Sequence, residues 1–151
     1  MTPAERFAAT MKARMEEANA ASLARLKAWA DDPRPELAAM EARLQDIAAT
    51  RGLTDADAVE ACATLAPLAA RGVEDAVEPI RRALDDLRRQ AALLPRPELR
   101  IVARKALANF EAKVPAMMEA ARKAWLDRAL SAFRDEVRAG DAMADSILDG
   151  I

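Results

Sequence analysis

Histidine and tyrosine are absent from this 151-residue chain, cysteine occurs once and glycine four times. Without imidazole there is no usual general base near neutral pH. There is also no Ser-His-Asp or Cys-His couple, no His-ligated haem and no helix-borne Glu-x-x-His di-iron site. The single cysteine, Cys62, forms no intrachain disulfide, which fits a reducing compartment. It falls among alanines at apolar helical spacing, where a free thiol behaves as a small hydrophobe. The scattered glycines assemble neither a phosphate-cradling loop nor a dinucleotide fingerprint. Three Phe and two Trp at helical spacing are core anchors rather than a base-stacking platform. No run approaches about 18 apolar residues, so no membrane span is expected. No segment alternates with period 2, so no strand is expected either.

What the chain has instead is alanine, at 39 positions. Alanine is the best helix former and loses no side-chain entropy; its excess also fits a GC-rich, bacterial-type genome. The larger apolar residues number another 39, of which 16 are Leu. Such a core is thin, and helices must approach closely to fill it. The formal net charge is −2, which gives no global attraction to nucleic acid or to anionic membrane.

The expected fold is all-α, an antiparallel helical bundle of five to six helices with one long N-terminal helix. Residues 1–140 form a single helical-bundle domain and 141–151 a short acidic tail. Thr2-Pro3-Ala4-Glu5 is a capping box with proline at the first helical position, so a helix rather than a signal peptide is expected there. That helix spans about Pro3 to Ala30. Asp32 is placed to cap a second helix carrying Leu37, Met40, Leu44 and Ile47, which Gly52 stops. Thr54-Asp55-Ala56-Asp57 opens a third, with Val59, Cys62, Leu65 and Ala66, which Pro67 kinks or splits. A fourth runs from about Asp75 to Leu94 on Val77, Ile80, Leu84, Leu87 and Ala91. A fifth carries Leu99, Ala103, Leu107, Phe110 and Val114 up to Pro115. A sixth, from about Ala116 to Ala139, carries Met118, Trp125, Leu126, Phe133 and Val137, with Gly140 as its stop. Pro33-Arg34-Pro35-Glu36-Leu37 recurs as Pro95-Arg96-Pro97-Glu98-Leu99, two uses of one helix-start sequence.

Carboxylates are the abundant reactive groups. Glu16-Glu17, Asp31-Asp32 and Asp85-Asp86 are adjacent pairs that point about 100° apart on a helix and so do not share one ligand. Asp55 and Asp57 belong to a helix N-terminus rather than to a calcium loop. No catalytic residue, cofactor or metal site is expected, and the chain is not expected to be an enzyme.

Two surfaces are the candidates for function. One is the first helix's stripe of Phe7, Met11, Met15, Leu23, Leu26 and Trp29, a self-association face if the bundle leaves it uncovered. The other is the basic segment Arg81, Arg82, Arg88, Arg89, Arg96, Arg100, Arg104 and Lys105. It follows an acidic stretch over residues 36–80, and the two blocks nearly cancel. The apolar residues Ile147, Leu148 and Ile151 of the tail could dock in a groove or fold back. The expected function is a non-enzymatic cytoplasmic helical interaction or scaffolding protein that self-associates, a dimer first. The alternatives are a nucleic-acid-associated regulator using Arg81–Lys105, which is less favoured, or an amphipathic coat on a granule or lipid surface.

Overall fold

The first residues follow the capping-box chemistry: Glu5 donates its N–H to Thr2 Oγ1 at 3.1 Å, and Thr2 returns its own N–H to Glu5 Oε2 at 3.3 Å. From there the computed structural model, which describes residues 1–150, is helical apart from short connections. The elements are α1 (Pro3–Asp31), α2 (Pro35–Thr50), α3 (Asp55–Ala76), α4 (Glu78–Ala92), α5 (Pro97–Glu111), α6 (Val114–Leu130), a 3-10 turn (Ser131–Phe133) and α7 (Arg134–Asp149). Among the described residues there is no strand, and no helix is long and apolar enough to cross a membrane. Ile151 lies outside the described residues.

The chain condenses into two compact units. Unit 1 joins Met1–Ala30 to Gly72–Ala120. Its core is Met15 and Ala18 of α1, Ile80, Ala83, Leu84, Leu87 and Ala91 of α4, Ala103 and Leu107 of α5, and Val114. Phe7, Met11, Leu94, Phe110 and Met118 pack around that cluster, partly buried. Four of its ten central residues are alanine, so the backbones lie close; α4 and α5 form the most extensive helix pair. Unit 2 joins Asp31–Arg71 to the residues from Ala121 onward. Met40, Leu44, Leu53, Ala61, Leu65, Leu68, Ala69, Trp125 and Phe133 are buried there.

Local chemistry explains where the helices differ from expectation. Asp32 does not cap α2; Arg34 holds the N-cap position with φ −122°, because the residue before a proline is driven to extended backbone. The repeated Pro-Arg-Pro-Glu-Leu behaves identically at its second copy, with Arg96 at φ −113° ahead of Pro97. Gly52 ends the α2 turn at φ +80°, a left-handed conformation that suits glycine. The N–H groups of Arg51 and Gly52 both return to the carbonyl of Ile47.

Pro67 does not split the helix: α3 runs through it from Asp55 to Ala76. Pro67 and Ala63 are both exposed, so the carbonyl that proline leaves unbonded faces water, which satisfies it. Val59 is 64% exposed; the inward register of α3 is Ala61, Leu65, Leu68 and Ala69. The expected sixth helix is two. The Ser131 hydroxyl donates to the carbonyl of Arg128 at 2.9 Å, a local bond that competes with the helical ladder, and the 3-10 turn follows. Gly140 does not stop a helix. It lies buried inside α7, where a Cβ would fall 1.4 Å from the carbonyl oxygen of Leu53. The acidic tail is therefore largely the second half of α7.

Candidate interaction surface

The N-terminal stripe faces inward for much of its length. Met15 is buried, and Phe7 and Met11 lie on the unit 1 core. Trp29 spreads its indole against Gly72, where an added Cβ would meet the ring at 2.0 Å. Leu26 is half-buried. Leu23 alone of the six is open, 60% exposed.

The basic segment separates into two groups. Four of its arginines are held by carboxylates of unit 1. Arg81 pairs with Glu74, Arg88 with both Glu111 and Asp85, Arg82 with Glu78 and Arg89 with Asp86. Arg14 of α1 reaches the same Asp86 at 2.8 Å. The Arg14 hydrogen bond, with Arg89 adding to it, holds the Asp86 carboxyl below its ordinary value. Glu111 likewise raises Arg88, and Glu74 raises Arg81. Arg100 donates to the carbonyl of Leu94 at 2.7 Å, in the turn after α4. Arg96, Arg104 and Lys105 are exposed, and none has a hydrogen-bonded or ionic partner among the described residues.

Between Arg100 and Arg104 lies an exposed apolar pair that falls outside the stripes read from the sequence. Ile101 and Val102, on the outer side of α5, are each 65% exposed. The inner side of α5 is Ala103 and Leu107, both buried. Leu93, just past α4, is 83% exposed. The signal in the sequence was that Ile101 and Val102 fall off the Leu99, Ala103, Leu107 register. β-Branched residues carry a helix-propensity penalty, so nothing local favours two of them side by side on a wet helix face.

Unit 2 exposes a second apolar ridge at the end of α7, where Ile147 is 60% and Leu148 67% exposed. Closer to the body, α7 is anchored. Gly140 meets the Leu53 backbone, and the Asp141 carboxylate accepts the N–H of Asp55 at 2.8 Å, an acid at the positive end of α3.

Each unit also carries a cleft. In unit 2, one of about 320 Å³ is lined by Cys62, Asp55, Asp127, Arg134, Arg138 and Asp141. Burial, reinforced by Asp127, pushes the Cys62 thiol up, so it stays protonated and weakly nucleophilic. In unit 1, one of about 260 Å³ lies over Leu84, Val114 and Met118, with Arg81 and Arg88 at its rim; both guanidinium groups are already ion-paired. Among the described residues no three Cys, Asp or Glu side chains converge as a metal site. Compared with known proteins, the chain matches no family model, no curated protein and no solved structure.

Proposed function

We propose that this chain is a non-enzymatic helical interaction and scaffolding protein of the cytoplasm that self-associates, with the outer side of α5 as its contact surface. The reading rests on one observation: Ile101 and Val102 stand 65% exposed beside the unpartnered cations Arg104 and Lys105. Single exposed apolar residues need no explanation, but apolar groups gathered within a polar rim mark interaction sites. Use of Arg81–Lys105 on nucleic acid is the weaker reading, since half of its eight cations are bound by carboxylates of the same chain. Phosphates would have to displace those acids.

A photo-reactive side chain at position 101 tests the proposal. Irradiating the purified protein should link two chains, while the same group at exposed Lys27 of α1 should link none. Absence of chain-to-chain capture at position 101 across concentration would remove both the self-association and its surface.

A further inference from the structure

We infer that α5 packs against α5 of a second copy, antiparallel about a twofold axis between Ile101 and Val102, with Glu98 of each copy facing Lys105 of the other. This rests on the proposed self-association and names the partner surface, which is the same side of the same helix.

The outer side of α5 has an order along its length. Glu98, Ile101, Val102, Lys105, Ala108 and Asn109 follow the three-and-four spacing of one helical side, and all six are exposed. Leu99, Ala103, Leu107 and Phe110 take the opposite side and are half-buried or buried. An apolar pair thus stands between an acid and a base. Neither Glu98 nor Lys105 has a hydrogen-bonded or ionic partner among the described residues. They do not serve each other. Charged pairs on a helix form at spacings of three and four, whereas these two lie about 10 Å apart along the axis.

A twofold axis completes both. Reversing a second α5 about the point between 101 and 102 sets Glu98 opposite Lys105 and Lys105 opposite Glu98. Ile101 and Val102 of the two copies surround the axis, and an ion pair closes each end of that apolar centre. Other alignments fail on charge. A parallel pair sets acid on acid and base on base. An antiparallel pair centred on Lys105 brings the two ammonium groups together, and one centred on Glu98 brings the two carboxylates together. The charges therefore choose direction and register, while the apolar centre supplies most of the attraction. Ala108 and Asn109 continue the stripe short and uncharged, so no charge there opposes the approach. A closed twofold dimer requires a self-complementary surface, and this one lies wholly within unit 1.

The contact is small. α5 has 15 residues, about 22 Å of helix. One pair of such helices buries less than the roughly 1,200 Å² of a stable interface, so the dimer should dissociate on dilution.

The test is charge reversal with complementation, read by sedimentation equilibrium over a concentration series. The wild-type mass should rise with concentration from 16.4 kDa toward twice that value. Glu98→Lys alone and Lys105→Glu alone should each weaken the dimer by about tenfold or more, because both ends then oppose like charges. An equimolar mixture of the two variants should recover the dimer, since both ends then oppose unlike charges. The double variant carrying both reversals should dimerise by itself, which separates a lost contact from a damaged helix. Ile101→Ser with Val102→Ser should give monomer at unchanged helicity, and Lys27→Glu on α1 should leave the dimer as it is. A wild type that stays monomeric at the highest concentration, or a dimer indifferent to the single reversals, would overturn the pairing. Failed complementation with capture still present at position 101 would overturn the antiparallel register and leave the α5 surface standing.

Discussion

At position 140 an added methyl group would have to occupy the space of a backbone atom. A Cβ there falls 1.4 Å from the Leu53 oxygen and 2.4 Å from its carbon, and neither can rotate away. Overpacking a core typically costs about 1–3 kcal/mol when side chains can shift. Gly140→Ala should therefore lose at least about 3 kcal/mol, measured by urea denaturation. Gly72→Ala should cost less, because its obstacle is the Trp29 ring, a side chain rather than backbone. Asp57 is the other residue whose surroundings decide its chemistry. It is 7% exposed, takes two bonds from Arg51 at 2.9 and 2.7 Å, and accepts the Thr54 N–H at 3.0 Å. The Arg51 hydrogen bond first, then the Thr54 backbone, hold its carboxyl well below the usual carboxylate range, against the effect of burial. In acid the unfolded chain takes up a proton near pH 4 that the folded chain refuses. The stabilisation is thus complete above about pH 5 and is lost as pH falls through and below that value. Urea midpoints for the wild type should drop between about pH 5 and 3 by more than those of Asp57→Asn.

At the scale of elements, α3 and α7 carry the instructive departures. α3 continues through Pro67 because the orphaned carbonyl points to water. A proline in a helix interior costs about 3 kcal/mol relative to alanine, offset in part by the freedom it removes from the unfolded chain. Pro67→Ala should accordingly raise stability by about 1–2 kcal/mol, seen as a higher melting temperature with unchanged helicity. A fall would mean that Pro67 packs against something its exposure conceals. In α7, one Gly-Asp step does two jobs: Gly140 lets the helix touch the Leu53 backbone and Asp141 caps α3. Glycine and aspartate are also what a helix end and an acidic tail look like, which is why the element was legible only as far as residue 139.

For the whole molecule, the core is thin and its large anchors carry unequal weight. Trp125 is 6% exposed in unit 2, whereas Phe110 sits partly buried at the edge of the unit 1 core. Aromatic truncation in a core costs about 3–5 kcal/mol. Trp125→Ala should approach that range and Phe110→Ala should cost roughly 2 kcal/mol, both by thermal unfolding followed at 222 nm. Equal effects would place the two side chains in equivalent surroundings, which their exposures deny. Far-ultraviolet circular dichroism of the intact chain should show helix far above the one-third average of globular proteins.

The amino-acid sequence by itself determined the secondary structure class and most helix starts. Those depend on neighbours three or four residues away: the Thr2–Glu5 box, the two Arg-Pro starts at Pro35 and Pro97, and the Leu84, Leu87, Ala91 stripe of α4. It also exposed the charge imbalance between residues 36–80 and 81–105. Only the tertiary structure decided what each apolar stripe meets. Phe7, Met11 and Met15 form as good a seam for a second copy as for α4 and α5, and periodicity cannot distinguish the two partners. Ile101 and Val102 emerge as surface only once Ala103 and Leu107 are seen to take the inner side of α5, and with alanine on both sides of so many helices the inward direction is nearly degenerate in the sequence. Gly140 required the fold most of all, since its reason is the Leu53 backbone, 87 positions away along the chain.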